Sequence, residues 1–235
     1  MSVRTGVAPV LSAALPVMLG YVTIGVPCGV MEAEVGLSPL MAFLLSASFY
    51  SGAGQFMMSS LALVGTPVLS MVASVSLVST RQLLYSAALS PYLAGASRPL
   101  AALFAATVTD ESFGVNLERF SADDSWSATK ATAVNLMSMF SWALANALGA
   151  IVGPALAIPT AVMSFAMTSI FICLLACREW ARRTVVCAAA SALGVIALKV
   201  LGLGSIAVLL GALAGVVAGI LLGPRAREGA EHDHE

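Results

Sequence analysis

Residues 10–30 read VLSAALPVMLGYVTIGVPCGV, an uncharged run interrupted by Pro16, Gly20, Gly25, Pro27 and Gly29. A membrane-crossing helix needs about 20 apolar residues at 1.5 Å each, so this run is long enough to span a bilayer. Comparable runs follow at 39–63, 68–94, 99–117, 131–152, 159–177, 184–202 and 205–223. The sequence therefore predicts an all-α integral membrane protein of about eight transmembrane helices. Seven is the alternative, because only Gly202, Leu203 and Gly204 separate the last two runs.

Composition agrees with the pattern. Of the 235 residues, 59% are hydrophobic and 10% charged, and mean hydropathy is +0.95. Soluble domains carry roughly 25% charged residues. The long continuous runs disfavour a β-barrel, whose strands alternate apolar and polar. Low charge excludes a disordered chain. Eleven basic and twelve acidic residues leave no basic stripe, so no nucleic-acid partner is expected. The opening segment, Met1 to Arg4 followed by apolar residues, lacks a cleavage region and reads as the start of the first span.

Charge sets the orientation. With eight spans and a cytoplasmic N-terminus, Arg4, Arg119, Lys130, Arg178, Arg182, Arg183, Arg225 and Arg227 fall on the cytoplasmic side, against Arg98 outside. Basic loops resist translocation, so both termini are expected in the cytoplasm. Glu32 and Glu34 are expected on the outer face. The predicted domain is a single polytopic unit, 1–223, with halves of about 1–117 and 131–223 joined by a polar loop at 118–130. A flexible cytoplasmic tail follows at 224–235.

Polar residues inside the spans mark candidate sites. The breakers of the first span and the run of Ser46, Ser48, Tyr50, Ser51, Gly52, Gly54 and Gln55 in the second predict broken helices in these two spans. Unwound backbone at membrane depth survives only where protein or a water-filled cavity satisfies it, and such breaks often hold a transporter's substrate. The alternative is close helix packing through small residues. Arg81, Asp110, Glu111 and Lys199 are ionisable residues within spans, each costing at least about 2.5 kcal/mol at the bilayer centre. Arg81 can receive a carboxylate bidentately or pair with Asp110 or Glu111. Either acid can carry a proton or bind an ammonium group. Lys199, near a span end, can snorkel to the interface.

No enzyme is expected. His232 and His234 both lie in the tail, so no membrane-embedded Ser-His pair or zinc motif exists, and there is no nucleotide-binding loop. Cys28, Cys173, Cys177 and Cys187 lie in apolar surroundings and read as small hydrophobes. Cys173 and Cys177 share a helix face, and the tail histidines could bind metal, but neither is supported by a further ligand. No metal or cofactor is implied.

Four strings carry a family resemblance: GLSPLMA at 36–42, FYSGAGQF at 49–56, RQLLYSAALSPYL at 81–93 and TDESF at 109–113. The chain resembles the AzlC-type branched-chain amino-acid permease family, closely over residues 10–120 and in outline beyond. It departs from the family where Ser79 replaces an Asn, Gln82 a His, and Ser164 and Thr168 an Asp and a Pro. The resemblance implies a multi-pass transporter in the inner membrane of a prokaryote, exporting branched-chain or related apolar amino acids such as leucine, isoleucine, valine or methionine. It also implies a small AzlD-type membrane partner, while proton coupling is expected from the placement of Asp110 and Glu111 within a span. The expected substrate-binding residues are Gly25, Pro27, Gly52, Gly54, Gln55 and Arg81, with Asp110 and Glu111 for coupling. The alternatives are a non-transporting membrane subunit or scaffold, and a transporter or channel for another small substrate.

Overall fold

A computed structural model of the chain describes residues 4–156, 165, 169, 172, 176, 182–202 and 204–221. Ser164, Thr168, Cys173, Cys177, Arg178 and the tail with His232 and His234 lie outside the described residues. All regular structure among the described residues is helical. The helices are α1 (Arg4–Glu34), α2 (Pro39–Ser48), α3 (Gly52–Leu63), α4 (Val68–Ser79), α5 (Arg81–Leu89), α6 (Arg98–Thr107), α7 (Asp110–Ala122), α8 (Ala128–Leu156), α9 (Arg182–Val200) and α10 (Gly204–Leu221). A 3₁₀ turn, Ser90–Leu93, extends α5. The chain divides into two compact units, Met1–Phe171 and Ile172–Glu235.

Three described stretches are long and apolar enough to cross a membrane: Val7–Glu34, Val68–Leu93 and Ala128–Ala155. The second runs through α4, α5 and the 3₁₀ turn, interrupted only at Thr80. The second and fourth predicted spans are each divided into two short helices. Their non-helical residues lie at 49–51 in one and at Val108–Thr109 in the other.

The first span corrects the sequence expectation. It is one unbroken helix of 31 residues despite Pro9, Pro16 and Pro27. The reason is its packing against α8. A Cβ added at Gly29 would lie 1.9 Å from the Asn146 carbonyl oxygen, and one at Gly149 would lie 2.1 Å from that of Val26. Gly25 and Gly29 on α1 thus meet Ala145, Asn146 and Gly149 on α8 in a small-residue seam, with Gly153 against Val30 beyond them. Ser141 of α8 also donates to the Met18 carbonyl of α1 at 3.0 Å. With no water to satisfy an unwound backbone, the helix with a few missing bonds is preferred.

Local signals explain the other boundaries. Gly36, at φ +87°, ends α1, and Ser38 caps α2 by accepting from Met41 N at 3.3 Å, with Pro39 in the first turn. Between α7 and α8, Asp123 accepts from Ser125 N at 2.8 Å, and the Ser125 bonds hold its carboxyl below the usual range. Arg119 and Lys130 lie over the Trp126 ring there, at 5.7 and 5.8 Å. Within the polar segment 118–130, α7 continues to Ala122 and α8 begins at Ala128.

In the second unit α9 and α10 form a pair of helices separated at Gly202, φ +80°. Gly211 and Gly215 approach the Ser191 and Cys187 carbonyls. Lys199 is exposed in the last turn of α9.

Candidate functional site

The second-span break is built by its own sequence and then braced from outside. Ser51 caps α3, its hydroxyl accepting from Gly54 N at 3.3 Å. Unwinding leaves carbonyls without helical partners, and two glutamines satisfy them. Gln55 Nε2 donates to the Phe49 carbonyl at 2.9 Å, and Gln82 Nε2 donates to the Tyr50 carbonyl at 3.0 Å. Gln55 is itself fully buried, its Oε1 accepting from Trp142 Nε1 at 2.7 Å. Gln55 therefore braces the break, with both of its side-chain polar atoms engaged. Gly54 is required because a Cβ there would lie 2.8 Å from the Phe49 ring.

The break frees the first turn of α3 from the helix before it, with Ser51 and Ala53 buried. Helix geometry leaves the Gly52 and Ala53 N–H groups without an intrahelical partner, and the positive end of the helix dipole lies with them. Ser51 Oγ lies 3.5 Å from Ser79 Oγ at the end of α4, which brings the Thr80 interruption alongside.

The second break, at Val108–Thr109, starts α7. Thr109 and Ser112 form a reciprocal cap, with Thr109 N donating to Ser112 Oγ at 3.0 Å. Asp110 and Glu111 occupy the first turn, where the dipole favours anions. Asp110 pairs with Arg81 at 2.9 Å and accepts from the Tyr85 hydroxyl. The two charged side chains are 27% and 30% exposed, so the pair is only partly shielded. Phe113 stacks on Tyr85 with ring centres 4.9 Å apart.

Tyr21, near the middle of α1, joins the two breaks. Its hydroxyl lies 2.6 Å from Thr109 Oγ1 and donates to Glu111 Oε2 at 2.7 Å. Its ring packs edge-on against Tyr50 at 6.1 Å and Trp142 at 5.4 Å. The buried Tyr50 hydroxyl has no hydrogen-bond partner among the described residues. The Trp142 indole fits between α1 and α3, because added Cβ atoms at Gly25 and Gly52 would contact it at 3.5 and 3.3 Å.

The structure therefore gathers Gly52, Gly54, Gln55, Arg81, Asp110 and Glu111 around two breaks. Gly25 reaches this group only through Trp142, and Pro27 is half-buried within the continuous α1. Sequence reasoning missed Tyr21 and Trp142 as site residues and noted Gln82 only as a departure. A Tyr or Trp within an apolar span carries a polar group that needs a partner, and that was the available signal. The gathered chemistry is amphoteric: helix N–H groups, a hydroxyl and a guanidinium can bind an anion, and two carboxylates can bind a cation or proton.

Helices built for a bilayer, with paired breaks and clustered ionisable groups, define a polytopic α-helical membrane protein. The family described as AzlC protein matches residues 16–156, and the chain belongs to that family. Its relatives include the Inner membrane protein YgaZ of Escherichia coli (strain K12), 25% identical over 214 residues, which cover 88% of this chain and 85% of that protein. An uncharacterized membrane protein of Helicobacter pylori (strain J99 / ATCC 700824) is 27% identical over 161 residues, 68% of this chain and 70% of that protein. No solved structure matches. The family and its relatives support a membrane-embedded role related to transport.

Proposed function

We propose that this chain is a secondary transporter that exports branched-chain or related apolar amino acids, coupled to the proton gradient and acting with a small AzlD-type membrane subunit. In this reading it has eight spans with both termini cytoplasmic, and it catalyses no covalent reaction. The observation that carries the reading is the braced break at 49–51 beside Arg81 and the α7 carboxylates. A zwitterionic substrate needs donors for its carboxylate and acceptors for its ammonium group within one reach. The α3 N-terminus and Ser51 supply the first, with Arg81 when it exchanges Asp110 for substrate. Asp110 or Glu111 supplies the second. Tyr21, Phe56 and Trp142, packed in one apolar cluster with Tyr50, supply a wall for the apolar side chain.

Ligand-dependent stabilisation tests the reading. A ligand present at about 100 times its Kd stabilises the folded state by roughly 2.7 kcal/mol. Leucine, isoleucine, valine or methionine is expected to raise the melting temperature of the purified protein and its small partner, while glutamate and lysine leave it unchanged. No shift with any apolar amino acid would refute the substrate assignment.

A further inference from the structure

The last turn of α1 carries two carboxyl groups in opposite environments. Glu34 is exposed, whereas Glu32, expected from the sequence on the outer face, is fully buried at 0% exposure. Cys28 Sγ contacts Glu32 Oε1 at 3.9 Å, and Oε2 has no hydrogen-bond partner among the described residues.

Among the described residues, the elements packed on α1 bring no cation to this level. α2 and α3 contain no ionisable residue. The one ionisable residue of α8 is Lys130, in its first turn. Gly29 packs against Asn146, so Lys130 lies roughly 24 Å away along that helix. α7 brings Asp110, Glu111, Glu118 and Arg119, but it joins α1 at Tyr21, roughly 16 Å along α1 from Glu32. On α1 itself, Arg4 lies at the opposite end.

Two effects disfavour the anion here. Burial removes the water that would solvate it. The C-terminal end of a helix carries partial negative charge, and the last turn of α1 has no basic residue.

We propose that Glu32 is a proton-binding site, loaded in this conformation and unloaded in a second one that opens the end of α1 to water. On unloading, the carboxyl O–H bond breaks, its electron pair stays on the oxygen, and the proton passes to water. The proposal rests on the transporter reading and gives it a proton site separate from Asp110 and Glu111.

The test uses the full chain with its small partner in vesicles and has two arms. Dicyclohexylcarbodiimide reacts with protonated carboxyls in apolar surroundings. It is expected to label Glu32 at neutral pH, to leave Glu34 unlabelled, and to leave no adduct at this position in Glu32→Gln. No label on Glu32 overturns the proposal, whether or not the protein transports. In the second arm, Glu32→Gln mimics the loaded acid. It should retain amino-acid exchange at the wild-type rate while flux driven by a pH gradient falls about tenfold or more; Glu34→Gln should retain both. Unchanged gradient-driven flux in Glu32→Gln, or equal loss of exchange and net flux, overturns the proposal. Labelled Glu32 in a wild-type protein that moves no amino acid refutes the transporter reading and leaves the protonated carboxyl standing.

Discussion

The hydroxyl of Tyr21 lies 2.6 Å from Thr109 Oγ1, which fastens the long first helix to the unwound segment between α6 and α7. The same ring touches Tyr50 in the other break. One side chain thus couples two broken spans, and any movement of α1 acts on both.

Tyr21→Phe keeps the ring contacts and removes the hydroxyl. Loss of a buried hydrogen bond of this kind costs about 1–3 kcal/mol where a partner is left unsatisfied. We expect a loss of unfolding free energy of that size, and a larger fall in exchange rate than in expression. Chemical denaturation and exchange measured on the same preparation check it, and wild-type values in both would remove Tyr21 from the site.

The glutamine braces predict a specific double effect. Gln55→Leu takes the acceptor from the Trp142 indole N–H and the Ser46 hydroxyl, while the Phe49 carbonyl keeps its bond from Ser51 N. Gln82→Leu removes the amide donor to the Tyr50 carbonyl. At about 1–3 kcal/mol per buried unsatisfied group, Gln55→Leu should be the more destabilising. Denaturation midpoints of the two variants compare them directly.

The seam predicts opposite outcomes for glycines of the same helix. Gly29→Ala would drive a Cβ into the Asn146 carbonyl and should destabilise by about 3 kcal/mol or more. Gly20→Ala meets nothing within 4 Å and should stabilise by up to about 1 kcal/mol through helix propensity. Thermal unfolding in detergent measures both.

These glycines also show what the sequence could and could not reveal. The helical membrane class was legible because bilayer thickness fixes the length of an apolar helix, and three of the predicted runs stand as helices of that length among the described residues. The 49–51 break was legible because Ser51, Gly52 and Gly54 combine a cap with small residues. The same composition at Gly25, Pro27 and Gly29 serves a helix crossing instead. Nothing local distinguishes the two, since the difference lies in Asn146 and Gly149, more than a hundred residues on. The Val108–Thr109 break lacked any Gly or Pro and was invisible for that reason. Glu32 looked like a surface charge by position, and only tertiary packing buries it.

The Arg81–Asp110 pair can be separated from substrate binding by a double-mutant cycle. Partly exposed pairs couple weakly, by about 1 kcal/mol or less, so stability should change little in Arg81→Ala, Asp110→Ala and the double variant. Amino-acid affinity should fall in each. Rescue of affinity in the double variant would make the pair purely structural.

Asp123 offers a pH-dependent check outside the spans. Its folded-state carboxyl is held below its ordinary value by Ser125, so its contribution is present above the unfolded pKa of about 3.9 and is lost as pH falls through the lower folded value. Asp123→Asn should be slightly less stable than wild type at neutral pH, and the two melting curves should converge in acid.

Counterflow of labelled leucine into proteoliposomes containing this chain and its small partner, compared for wild type and Arg81→Ala, tests whether the braced break is a transport site. Saturable counterflow in the wild type that other apolar amino acids compete away, and that Arg81→Ala abolishes with normal incorporation, is the expected result. Counterflow absent from the wild type, or equal in the two proteins, would contradict it.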